Sequence, residues 1–138
     1  MDWMLLPYRR YFDFSGRSRR REFWLFSLFC MCVNLAIDFG LGGPYATLTG
    51  YSAMVGTHPG FLAQGLTGLF GLFSFIPSWA VAVRRLHDID RSGWWLLLVL
   101  LPVLGWFVLL VFNCLDGTAG RNSYGFDPKG RGFDEVFR

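Results

Sequence analysis

The stretch FLAQGLTGLFGLFSFIPSWAVAV, residues 61–83, carries no charged side chain and stops abruptly against Arg84-Arg85. As a helix rising about 1.5 Å per residue it is long enough to cross the roughly 30 Å hydrocarbon core of a bilayer. A charge-free run of this length predicts a membrane-spanning helix, and with it the class of the fold. Gly65, Gly68, Gly71, Ser74, Ser78 and Ala82 recur every three or four residues, so one side has little bulk and suits close helix contact. Pro77 removes one backbone hydrogen bond, and a kink is expected near it.

Two further apolar runs lie on either side. Phe23 to Gly43 is long enough for a span and is preceded by too many polar residues to be a signal peptide. Trp94 to Leu115 has no charge and opens on Trp94-Trp95, a pairing that suits an interface anchor. Pro102-Val-Leu-Gly105 divides this third run, which therefore either spans or turns back. Three full spans is the expectation, because turns exposed to lipid leave backbone groups unsatisfied. Ahead of these runs, Trp3, Leu5, Leu6, Tyr8, Tyr11, Phe12 and Phe14 alternate loosely with Arg9, Arg10 and Asp13, the pattern of a short amphipathic interfacial helix that Pro7 either breaks or starts. The predicted fold is an all-α integral membrane protein with three transmembrane helices, the third open to a re-entrant alternative, plus that N-terminal helix. A single membrane domain, residues 1–128, is built on segments 23–43, 61–83 and 94–115, and 129–138 form a polar tail.

Composition agrees. Of 138 residues 53% are hydrophobic, 19% aromatic and only 17% charged, and the mean hydropathy is +0.36. Soluble domains carry about a quarter of their residues as charges, so a disordered chain and a separate soluble catalytic module are both excluded. Thirteen basic residues, twelve of them Arg, exceed ten acidic ones. Nucleic acid is not the expected partner, because the basic residues flank apolar runs where membrane topology explains them. Arg9, Arg10, Arg17, Arg19, Arg20 and Arg21 precede the first run and Arg84, Arg85 and Arg91 follow the second, whereas Pro44 to Gly60 has none. The N-terminus and the second loop are therefore expected in the cytoplasm and the segment 40–60 outside. Cys30, Cys32 and Cys114 are odd in number without a C-x-x-C, which suggests neither a disulfide framework nor a zinc site.

Topology alone does not explain the acids and the histidine mixed with these arginines. FSGRSRRREFW over 14–24 leads into the first span, and RRLHDIDRSGWW over 84–95 links the second to the third. Together with NSYGFDP over 122–128, these motifs resemble the YhaH/YhaI-like bacterial inner-membrane proteins, a domain of unknown function (DUF805), along nearly the whole chain. The resemblance implies a few helices in a bacterial inner membrane and no assigned reaction.

Read from the residues, Arg17, Arg20, Arg84, Arg85 and Arg91 suit either lipid phosphates or ion pairing with Glu22, Asp88 and Asp90. Gly16 and Gly93 stand at helix entrances where a positive φ is useful, and Ser18 is placed to cap the first span. His87-Asp88 invites a catalytic or metal reading, but the other histidine, His58, is expected across the membrane. Asn34 and Asp38 share a face of the first span. The expected function is that of a non-enzymatic inner-membrane component. Its cytoplasmic cluster, Arg17, Arg20, Glu22, Arg84, Arg85, His87, Asp88 and Arg91, binds anionic lipid headgroups or a protein partner, with membrane lipids and a homo-oligomer as further associations. No cofactor, metal or catalytic residue is assigned. The alternatives are a subunit of a small oligomeric transporter or channel, drawing on Asn34 and Asp38, and a membrane enzyme using His87.

Overall fold

The computed structural model describes residues 2–41 and 59–131, and among these the only regular structure is helical. The expected external loop, with His58, and most of the polar tail lie outside the described residues. Helix α1 is Asp2–Arg9, α2 is Arg20–Gly40, α3 is Pro59–Asp88 and α4 is Leu104–Cys114, with a 3-10 helix, Gly93–Leu100, between the last two. Two compact units result: residues 2–26 with 77–131, and residues 27–41 with 59–76.

Helices α2 and α3 are long and apolar enough to cross a membrane, and only 6% and 22% of their most apolar windows are buried within the protein. A core helix of a soluble protein would be mostly covered. Here Met31, Phe39, Leu69 and Leu72 stand more than half exposed, an arrangement that water would oppose and hydrocarbon favours. Polar groups inside the helices turn back on their own backbone: Asn34 donates to the Cys30 carbonyl at 2.9 Å and Thr67 to that of Ala63 at 2.7 Å. Of the small residues, Gly65, Gly68 and Gly71 make no close contact among the described residues, since an added Cβ would meet nothing within 4 Å, whereas Ser74 is buried.

Helix α1 runs through Pro7, whose ring is buried, and Tyr8 packs edge-on against Phe26 of α2 with ring centroids 5.2 Å apart. Pro7 has no N–H to give, so this short helix forgoes one backbone bond there. Helix α3 likewise continues through Pro77 to Asp88. Thirty residues at about 1.5 Å each exceed a hydrocarbon core by more than two turns, so the helix is longer than a span requires.

The third apolar run departs from the expectation of a full span. It folds as a hairpin whose arms, eight and eleven residues long, are each too short to cross. At the bend the Leu104 N–H donates to the Pro102 carbonyl at 2.8 Å around Val103, whose φ is +66° and ψ −68°. That is a γ-turn of the strained, positive-φ kind. Gly105 lets the arms approach, because a Cβ there would collide with the Leu98 carbonyl oxygen. Trp95 then meets Phe112 edge-on at 5.5 Å, and the Trp106 indole donates to the Val99 carbonyl at 3.0 Å. Proline at the bend and a missing side chain beside it make turning back sterically possible, and the indole satisfies a carbonyl that the turn would otherwise strand.

Candidate functional site

The three polar motifs meet in one place, around the C-terminal end of α3. That end is closed by a Schellman arrangement: the Arg91 N–H reaches the Leu86 carbonyl at 2.9 Å and the Asp90 N–H that of His87 at 3.1 Å, with Asp90 at φ +57°. Aspartate tolerates this left-handed conformation better than most residues. The chain then turns away into the hairpin and comes back, so that Leu115 and the segment after it lie against the same helix end.

Arg17 is the hub. Its side chain is 1% exposed and makes five hydrogen bonds. Nε donates to Asp88 Oδ1 at 2.9 Å, Nη1 to the carbonyls of Gly120 at 2.7 Å and Gly125 at 3.4 Å, and Nη2 to those of Thr118 at 2.5 Å and Asp88 at 3.4 Å. Asp88 holds Arg85 with its other oxygen, Oδ2 to Nη1 at 2.8 Å, and Arg85 Nη2 donates to the Leu115 carbonyl. Asp127, also buried, lies 3.9 Å from Arg17 and accepts from Arg131 Nε at 2.7 Å. Arg84 faces Glu22 at 3.2 Å and donates through Nε to the Ala80 carbonyl at 3.3 Å. Among the described residues the buried charges are three guanidiniums, of Arg17, Arg84 and Arg85, and three carboxylates, of Glu22, Asp88 and Asp127. Their charges cancel, which offsets part of the cost of burying ions, while Arg84 Nη1 and Nη2 and Arg85 Nε find no hydrogen-bond acceptor among the described residues.

The third motif closes this lock. Asn122 Nδ2 donates to the His87 carbonyl at 2.8 Å and to Thr118 Oγ1 at 3.0 Å, while its Oδ1 accepts from the Tyr124 N–H at 2.9 Å. The Tyr124 ring stacks on His87 at 3.9 Å and 4°. His87 Nδ1 lies 3.2 Å from the Gly16 carbonyl, which only accepts, so that nitrogen carries the proton. With both oxygens of Asp88 turned to arginines, the carboxylate does not orient His87 as an acid–base pair requires. Gly16 takes the positive φ expected of it, +77°, whereas Gly93 instead leaves room for Val83, whose Cγ1 a Cβ would meet at 3.1 Å. Ser18 does not cap α2: its backbone N–H donates to the Arg84 carbonyl at 3.1 Å, and it is the Arg19 carbonyl that receives the first helical N–H groups.

The eight expected residues therefore divide. Arg17, Glu22, Arg84, Arg85, His87 and Asp88 lie within the lock. Arg91 is exposed and sits over the Trp95 ring at 5.4 Å. Arg20 lies at the edge, donating to the Cys114 carbonyl at 3.0 Å and 3.4 Å from Asp116. Thr118, Asn122, Tyr124 and Asp127 were missed as site residues, although NSYGFDP over 122–128 already marked the last three.

Outside the lock the balance is positive. Arg19, Arg20, Arg21 and Lys129 line a cleft of about 350 Å³. Asp116 stands beside it, bonded to Lys129, and Arg19 donates to the Pro128 carbonyl. The hydrogen bond from Lys129, with Arg20 and Arg131 nearby, holds the Asp116 carboxyl below its ordinary range. Burial pushes the Asp127 carboxyl up, but bonds from Arg131 and the Lys129 N–H outweigh this and keep it low. Such a cleft is suited to phosphate oxygens. Among the described residues no group of His, Cys, Asp and Glu is placed to hold a metal ion.

The model of the family described as "Protein of unknown function (DUF805)" matches residues 11–126. Inner membrane protein YhaH of Escherichia coli strain K12 is 44% identical over 94% of this chain and 98% of its own length. Inner membrane protein YhaI of the same strain is 42% identical over 94% and 97%, and the uncharacterized protein YiiR is 30% identical over 86% and 87%. No solved structure matches. At this identity and coverage the chain belongs to the DUF805 family.

Proposed function

We propose that the chain is an inner-membrane protein whose charged face lies at the cytoplasmic surface and binds anionic lipid headgroups. The spans are α2 and α3, and the hairpin enters the cytoplasmic leaflet and leaves on the same side. Supporting this, every described Lys and Arg falls within residues 2–26 and 77–131, as a one-sided topology requires. The observation that carries the reading is the cleft of Arg19, Arg20, Arg21 and Lys129. These cations stand at the edge of the self-neutralising lock, where the single carboxylate of Asp116 pairs with Arg20, Lys129 and Arg131.

Reconstitution or flotation with vesicles of phosphatidylglycerol and phosphatidylcholine tests it. Arg20→Gln with Arg21→Gln should weaken partition to the anionic vesicles by roughly thirtyfold, at about 1 kcal/mol for each cation near a charged surface. Equal partition of the unaltered protein to anionic and neutral vesicles would sink the proposal. The enzyme reading is not supported, because His87 is stacked, bonded to Gly16 and not oriented by Asp88.

A further inference from the structure

A second cleft adjoins the cationic one and shares two of its residues. It has a volume of about 580 Å³ and is lined by Arg20, Arg21, Trp24, Leu25 and Cys114. Arg20 and Arg21 thus stand between a compartment walled by four cations and one walled by an indole, a leucine and a cysteine. An inorganic anion would use only the first compartment, and an apolar peptide only the second. A molecule that fills both has a phosphate joined to a hydrocarbon chain.

The surroundings select the same class. Trp24 and Leu25 lie in the first two turns of α2, where the helix passes from its arginine-rich start into its apolar length, which is where headgroup gives way to acyl chain. Cys114 closes α4, and its carbonyl accepts from Arg20 at 3.0 Å, so the hairpin forms the far wall of the apolar compartment and steadies the arginine at the junction. Asp116 offsets only part of the positive charge beside the cleft, which leaves an excess for an anionic phosphate. We infer that this pair of clefts holds one anionic phospholipid as a bound ligand, its phosphate among Arg19, Arg20, Arg21 and Lys129 and an acyl chain against Trp24, Leu25 and Cys114.

This inference rests on the headgroup reading above and adds the chain. General attraction to a charged surface fades with salt, whereas a seated lipid is retained by its buried chain. Native mass spectrometry of the full chain, exchanged into neutral detergent and supplied with dioleoyl phosphatidylglycerol, should show a one-to-one adduct that survives a wash at about 1 M salt, where the screening length is about 3 Å. Cys114→Trp, which fills the apolar compartment, and Leu25→Gln, which wets it, should each reduce retention at least tenfold while leaving partition to anionic vesicles within twofold. Arg20→Gln with Arg21→Gln should lower both, partition by the roughly thirtyfold given above. Circular dichroism and a monodisperse elution profile identify variants that fold.

If glycerol phosphate or a short-chain, soluble phosphatidylglycerol binds as tightly as the dioleoyl lipid, or if folded Cys114→Trp and Leu25→Gln proteins retain the lipid fully, the acyl compartment is wrong and the headgroup reading stands. If no adduct forms and vesicle charge makes no difference, both fall.

Discussion

At the residue scale, the consequential positions are those where a side chain has no room or no substitute. Gly117 is buried against Asp88, and a Cβ there would collide with the carboxylate. Gly117→Ala should therefore push Asp88 off Arg17 and Arg85 and cost about 3–5 kcal/mol, the usual range for breaking a buried ion pair. Thermal unfolding in detergent or lipid discs measures it, and a loss below 1 kcal/mol would show that the lock tolerates displacement. Asp13 offers a test by pH. Bonds from the Ser15 hydroxyl, at 2.5 Å, and from Arg10, at 2.6 Å, hold its carboxyl at about 2, against an ordinary 3.8. A lowered carboxyl stabilises the folded state fully above its ordinary value, and that contribution disappears as pH falls through about 2. Asp13 should titrate near 2 by carbonyl-detected NMR and return toward 3.8 in Ser15→Ala. Titration near 4 in the unaltered chain would contradict the geometry.

At the scale of elements, the hairpin between Gly93 and Cys114 carries opposite demands at neighbouring positions. Val103 sits at φ +66°, which a β-branched side chain resists. Val103→Gly should stabilise the protein by about 1 kcal/mol, since such strain costs about 1–3 kcal/mol and glycine returns part of it as lost chain entropy. Gly105→Ala should do the reverse, at about 2–3 kcal/mol, because the new Cβ would collide with the Leu98 carbonyl oxygen, a backbone atom. If the two substitutions had equal effects, the segment would not be bent where the structure bends it. The hairpin also shows the limit of composition as a guide. A charge-free run of this length reads as a span, and Pro102 and Gly105 advertise an interruption without saying whether it is a kink or a reversal. Reversal is decided by the φ of Val103 and by the Trp106 and Trp95 contacts across the arms, neither of which has a periodic signature.

For the whole molecule, the lock joins the segment before α2, the end of α3 and the segment after α4, so all three come together at one site. A reporter fused at the C-terminus should therefore give the same signal as one at the N-terminus, and opposite signals would remove the re-entrant topology and the lock with it. The architecture assigns labour between two sets of charges. A buried set whose charges cancel fixes the chain segments to each other, and a second, cationic set lines the cleft at its edge.

What the amino-acid order determined by itself was the helical class and the two long apolar helices, because hydrophobic length and the absence of charge act locally and add along a chain. It also marked the polar motifs, since acids and a histidine among arginines exceed what orientation needs. Which charges cancel was decided only by tertiary structure. Arg17 and Arg20 look alike in the sequence, three residues apart in one basic run, yet one is buried in five hydrogen bonds and the other lies at a cleft. The difference arises because the hairpin brings Gly117 to Asp127 back onto the end of α3, and an ion's worth depends on the partners and solvent around it rather than on its place in the chain.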